Sequence, residues 1–166
     1  MVANRPWDNS YNVSDTIWVA AHTTQFTERG WHYVEGGGCA LLQNGTGGSH
    51  VSLASPDMSE LSIVIETVGA AGKQTIDVVL QGAFASSVSS MALWTTSEGA
   101  VFQQQPPVSF HGGRATVFVP ADSVWTLSTT TGQQKGGGGG NKGVPSAFPT
   151  AYTDDFEVRR KVQATQ

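Results

Sequence analysis

The residues able to do chemistry are few, and none of them pairs convincingly with another. Breaking a glycosidic bond needs two carboxyl groups facing it, about 5–10 Å apart. Glu66 sits in a strand-like run and points away from that run's apolar set, toward solvent or an interface. Asp154 and Asp155 are adjacent, and in an extended chain neighbours point to opposite sides, so they cannot share one substrate. The histidines at 22, 32, 50 and 111 match no metal-ligand spacing, so the pattern names no metal and no cofactor. His22 shares a helical face with Trp18, Ala21, Gln25 and Phe26, which reads as a packed, hydrogen-bonded histidine rather than a catalytic one. Cys39, the single cysteine, excludes an internal disulfide and reads as a small buried hydrophobe.

Glycine-rich stretches offer no phosphate site either. Gly45–Gly48 leads into a strand and not into a helix N-terminus, and the run Gly136–Gly140 has no Lys-Ser/Thr in phosphate-loop spacing. Five tryptophans, at 7, 18, 31, 94 and 125, could include a platform for stacking a sugar, although strands such as Met91–Thr96 and Ser123–Thr130 need bulky inward residues. Trp7 lies outside those strands. Asn12-Val-Ser14 and Asn44-Gly-Thr46 are N-glycosylation sequons, and Asn44-Gly45 also suits a hairpin turn with positive φ.

Bulk composition narrows the partners. Charged residues are 13% of 166 and the net charge is −4, which lacks the basic stripe that nucleic acid requires. No run of 18 apolar residues offers a transmembrane segment, and Met1–Trp7 has no apolar core of signal-peptide length.

Two textures divide the elements that must position these residues. From a cap at Ser14-Asp15, helical spacing holds to about Phe26, with Gly30 just beyond. Runs rich in Val, Ile, Leu, Thr and Trp then recur between turn residues: 30–34, 39–43, 49–54, 61–68, 75–82, 91–96, 101–104, 114–119 and 123–130. Leu61, Ile63, Ile65 and Thr67 share one face, as do Ile76, Val78 and Leu80. With no helices alternating among the strands, the fold class is all-β, an antiparallel β-sandwich preceded by one N-terminal helix. Thr131–Pro149, with its glycine run and two prolines, reads as a linker or long loop, and Ala151–Val158 regains a β-like texture.

In order, Pro6-Trp7, Trp18-Val-Ala-Ala-His-Thr-Thr-Gln-Phe26, Gly30-Trp31, Leu61–Val68 and Tyr152-Thr-Asp-Asp-Phe156 resemble the middle of glycoside hydrolase family 59, the galactocerebrosidase-like enzymes. The resemblance runs from Val2 to Val158. It implies that residues 1–29 are the last strand and helix of a (β/α)8 barrel, 30–131 a β-sandwich, 132–150 a Gly/Pro-rich linker, and 151–166 the lead-in to a lectin-like domain. It further implies a lysosomal or secreted parent enzyme that removes galactose from galactosylceramide, with partners in its own barrel and lectin-like domains and in the glycolipid. The family's two catalytic glutamates belong to earlier barrel strands, so no catalytic residue carries over. The loop Gly69–Gln74 is too short for the family's Cys- and Arg-bearing insertion, and Lys73 does not replace that arginine. Trp7, at the carboxyl end of a barrel strand, would line the cleft. A severed barrel end predicts exposed backbone groups and fast amide exchange over residues 2–26. The competing readings are a free-standing sandwich that binds galactosyl glycans or glycolipids, and a structural sandwich of adhesin or capsid type.

Overall fold

The structure, a computed structural model, describes the backbone of residues 2–5 and 10–12 and, in full, residues 13–136, 147, 148, 150 and 151. Trp7, Asp154 and Asp155 lie outside the described residues, and of Asn12 only the backbone is described.

The chain opens with a two-stranded antiparallel pair, β1 (Val2–Arg5) and β2 (Ser10–Asn12). Helix α1 (Thr16–Thr24) follows, ending at Gln25, whose N–H reaches back to the carbonyl of Ala21. Asp15 stands at its N-cap position but makes no side-chain capping bond. The strands come next: β3 (His32–Tyr33), β4 (Cys39–Leu41), β5 (Ser49–Ala54), β6 (Leu61–Glu66), β7 (Gln74–Val79), β8 (Ser90–Ser97), β9 (Ala100–Ser109), β10 (Arg114–Val119) and β11 (Val124–Ser128). A short helix, α2 (Ala83–Ser87), joins β7 to β8. That turn of helix is too short to show any periodicity in the sequence, yet it buries Phe84.

Seven strands form one sheet in the order β3-β5-β6-β11-β8-β9, with β4 also paired to β5. All its pairings are antiparallel. The second sheet is β7 with β10. Between the two lies the main core, built from Leu61, Ile63 and Ile65 of β6, Met91 and Leu93 of β8, Leu127 of β11, Val78, Leu80, Val117 and Val119. The alternation along these strands sends every second side chain into that core. This is the antiparallel sandwich that the apolar pattern predicts.

Strand β9 runs on to Ser109, through Pro106 and Pro107, beyond the expected end at Gln104. Proline removes a donor from a ladder, but β9 is an edge strand and its pairing with β8 slips by a residue across the prolines. A second slip, between Thr95 and Ser97, falls where Phe102 adopts φ 49°.

Cys39 corrects an expectation. It is exposed, because β4 is a three-residue edge strand with no buried side chain. The β4–β5 connection matches the turn reading: Gln43, Asn44 and Gly45 all have positive φ. At its end, Gly48 adopts φ +101°, and a Cβ there would stand 1.9 Å from the carbonyl oxygen of Glu66.

Two outcomes follow for denaturant unfolding. Gly48→Ala combines a backbone collision with an unfavourable φ, and should lower stability by about 3 kcal/mol or more. Gly69→Ala, at φ +74° but in open space, should cost only about 1 kcal/mol. Equal shifts in the two urea midpoints would contradict the close approach at Gly48.

Candidate functional site: the helix–sheet junction

The face of the large sheet turned away from the main core is closed by α1. Ala21, Phe26, Trp94 and Phe102 form a second, smaller apolar cluster there, with Trp18 and Val101 packed against it. Phe102 is the hub: it stacks on Trp18 at 5.6 Å between ring centroids and tilts against Trp94 at 4.5 Å. Phe26 and His22 meet it edge-on, at 6.1 and 5.2 Å. The face predicted from helical spacing, with Trp18, Ala21, His22, Gln25 and Phe26 together, is the face that docks.

Packing alone does not explain the polar atoms buried here. Thr126 and Ser128 of β11 and Ser62 of β6 project to this side and are fully buried. A buried hydroxyl without a partner is costly, so each must be satisfied. Ser62 donates to the carbonyl of Phe26 at 2.7 Å, with Ser128 2.6 Å from its hydroxyl. Thr126 donates to the carbonyl of His22 at 2.9 Å.

His22 occupies the centre, fully buried. Nδ1 is 2.8 Å from Thr126 Oγ1 and Nε2 is 2.7 Å from Thr96 Oγ1. The hydroxyl proton of Thr126 is already committed to the His22 carbonyl, so its oxygen can only accept from Nδ1. The network thereby assigns the proton to Nδ1 and leaves Nε2 to accept from Thr96. Thr96 Oγ1 in turn accepts the N–H of Phe102 at 2.9 Å, bracing the left-handed bulge residue. Burial lowers the His22 pKa to about 4. This arrangement holds a neutral imidazole with both nitrogens occupied, and nothing in it can abstract a substrate proton.

Beyond the helix end, the chain returns as a strap. The Gln25 side chain bonds both the carbonyl and the N–H of Gln134, at 3.1 and 3.0 Å, while Gln133 reaches the carbonyl of Gln25. Lys135 bonds the carbonyl of Val101 and stands 5.5 Å above the Trp18 ring. His22, Gln25 and Phe26 of the segment His22-Thr-Thr-Gln-Phe26 thus each hold a different part of the junction. Sequence spacing placed those residues on one face, but it carried no signal for the hydroxyls they meet.

Glu66, Asp122 and Asp57 are structural. Glu66 accepts from Ser49 at 2.7 Å and from the N–H of Val68 at 2.9 Å, which fixes the end of β6. Asp122 holds the N–H of Gly69, and Asp57 is held near pH 2 by bonds from Ser55 and Ser59. Among the described residues no three His, Cys, Asp or Glu side chains gather as metal ligands would, and no helix is long and apolar enough to cross a membrane. Trp94 is buried, which removes it as a sugar platform, and Trp125 packs against the main core. Asn44 is exposed at its turn. A cavity of about 400 Å3 opens between the sheets beside β7, with Ile63, Ile65, Ile76 and Val78 among its walls and Glu35 and His50 among its polar residues. Asp77 also lines it, its carboxylate accepting from Thr116, and His50 meets the carbonyl of Gly37.

The expectation of an exposed, fast-exchanging segment over residues 2–26 needs correction for its helical half. Ala21, His22 and Phe26 are buried against the sheet, so α1 is an integral layer of this body.

No family model matches the chain. It is 34% identical over 179 residues to galactocerebrosidase of Danio rerio, a match covering 95% of this chain and 26% of the relative. The human and mouse galactocerebrosidases match at 33% and 32% identity, again over 95% of this chain and 25% of theirs. Among solved structures, a family 30 endoxylanase from Clostridium papyrosolvens superposes with TM-score 0.59 at 17% identity, covering 70% of this chain and 28% of that one. A family 30 subfamily 8 xylanase from Clostridium acetobutylicum gives 0.57 at 17% identity, over 69% and 27%. These two share the fold. The chain spans about a quarter of the length of the curated relatives, and over 95% of its own length it is a homologue of the galactocerebrosidases.

Proposed function

We propose that this chain is the non-catalytic sandwich portion of a galactosylceramidase-like glycosidase, in which it supports a catalytic barrel and shapes one wall of the cleft. The observation that carries this reading is the match itself: nearly all of this chain aligns with only a quarter of each galactocerebrosidase. The chemistry agrees, since Glu66 and Asp122 brace a strand end and a turn instead of facing each other across a bond. The parent activity is hydrolysis of the bond between galactose and ceramide.

In this reading residues 1–29 close the barrel, 132–150 link to a lectin-like domain, and 151–166 lead into it. The barrel side is the side that carries α1. Ile17 and Val19 are 39% and 44% exposed on the helix surface turned from the sheet, an apolar stripe suited to a neighbouring barrel helix. Trp7 lines the cleft of the intact enzyme, and Asn12 and Asn44 carry glycans if the protein passes through a secretory route.

The reading is tested by activity on a fluorogenic β-galactoside and on galactosylceramide. The purified chain should show no turnover above buffer. Fusing it to an upstream in-frame barrel bearing two glutamates should produce activity, and Glu66→Gln in that fusion should leave kcat within about twofold, because Glu66 only braces a strand end. Turnover by the chain alone that Glu66→Gln abolishes would overturn the proposal.

A further inference from the structure

The junction holds a titratable group that the proposed function does not use. His22 lies fully buried between Thr96 and Thr126, and the neutral ring donates from Nδ1 to one hydroxyl and accepts at Nε2 from the other. Adding a proton at Nε2 would aim an N–H at Thr96 Oγ1, which already receives the N–H of Phe102. The Thr96 oxygen has lone pairs for both donors, but its own hydroxyl proton then loses the ring nitrogen it donates to.

Among the described residues no carboxylate bonds the ring, both of whose nitrogens meet hydroxyls. α1 packs on β8, β9 and β11, and none of these strands carries an ionisable side chain. His22 is also the sole ionisable side chain within α1. The strap contributes Lys135, a cation above Trp18, which opposes a second positive charge. Among the described residues α1, β8, β9 and β11 hold no carboxylate to steady an imidazolium; Asp15, Glu28 and Glu98 stand in the connections that flank them, and none bonds the ring.

Two further features make the junction separable from the rest. Its apolar cluster of Ala21, Phe26, Trp94 and Phe102 is distinct from the main core on the opposite face of the sheet. Phe102, its hub, is a bulge residue at φ 49°, a conformation that an aromatic side chain keeps only while its surroundings impose it.

We propose that His22 is an acid-released latch: protonation of its ring reverses the bond with Thr96, places an uncompensated charge in a buried site and frees α1 from the sheet while the sandwich stays folded. The sign follows from linkage. In the open state the ring titrates near its ordinary value of 6.5, and in the closed state near 4, so closure is complete at neutral pH and is lost as pH falls between them.

The test is native-state amide exchange on the full chain from pH 7.5 to 4.5, corrected for intrinsic rates. Protection of α1 amides should fall roughly fiftyfold across that range, while β6 and β11 hold theirs. His22→Gln, which cannot gain a proton, should remove the pH dependence. Should that variant fail to fold, the wild-type ring supplies the check by NMR, since helix opening must follow the titration of His22 itself. Parallel loss of protection in α1, β6 and β11 would overturn the latch. So would α1 protection that ignores pH, a pH dependence that survives in His22→Gln, or opening that does not track the ring.

Discussion

The structure depends on satisfying a row of hydroxyls buried on the back of its large sheet. β11 is a central strand, and it alternates an apolar residue into the sandwich, Leu127, with hydroxyl residues on the other side, Thr126 and Ser128. Ser62 on β6 adds another. Left facing apolar surroundings without partners, each would cost about 1–3 kcal/mol. α1 answers with the His22 carbonyl and ring, and the chain just past its end with the Phe26 carbonyl, which ties the helix to its place through directed bonds as well as apolar contact. The aromatic cluster around Phe102 then excludes water from the same bonds.

A polar seam of this kind sets position as well as stability. Apolar surfaces slide over one another at low cost, whereas His22 bonded at both nitrogens admits one angle and one height of the helix on the sheet. Gln25 extends this to the returning chain, because its side-chain amide pairs with the backbone of Gln134 as a strand would. With the ring neutral, the helix is thereby held in one place on the sandwich.

The sequence offered no convincing acid–base pair, and the carboxylates with the clearest bonds are scaffolding. Glu66, Asp122 and Asp57 each accept hydrogen bonds that close turns or strand ends. Cys39, read as buried from its type, is exposed because β4 is too short and too near the edge to bury anything. Residue type states how a side chain behaves once buried. Whether it is buried depends on where its strand falls in the sheet.

By itself, the sequence determined the antiparallel strand runs, the helix and its docking face, and the turn at Asn44-Gly45, because all of these are written in local periodicity and in residues that tolerate positive φ. Homology to the galactocerebrosidases was legible too, in the motif running from Trp18 to Phe26. Only the tertiary structure decided that β11 lies between β6 and β8, that β7 and β10 leave the large sheet, and that α1 covers its back. Those choices rest on contacts between residues far apart in the chain, such as His22 with Thr96 and Thr126, and no local pattern encodes which distant hydroxyl a buried ring will meet.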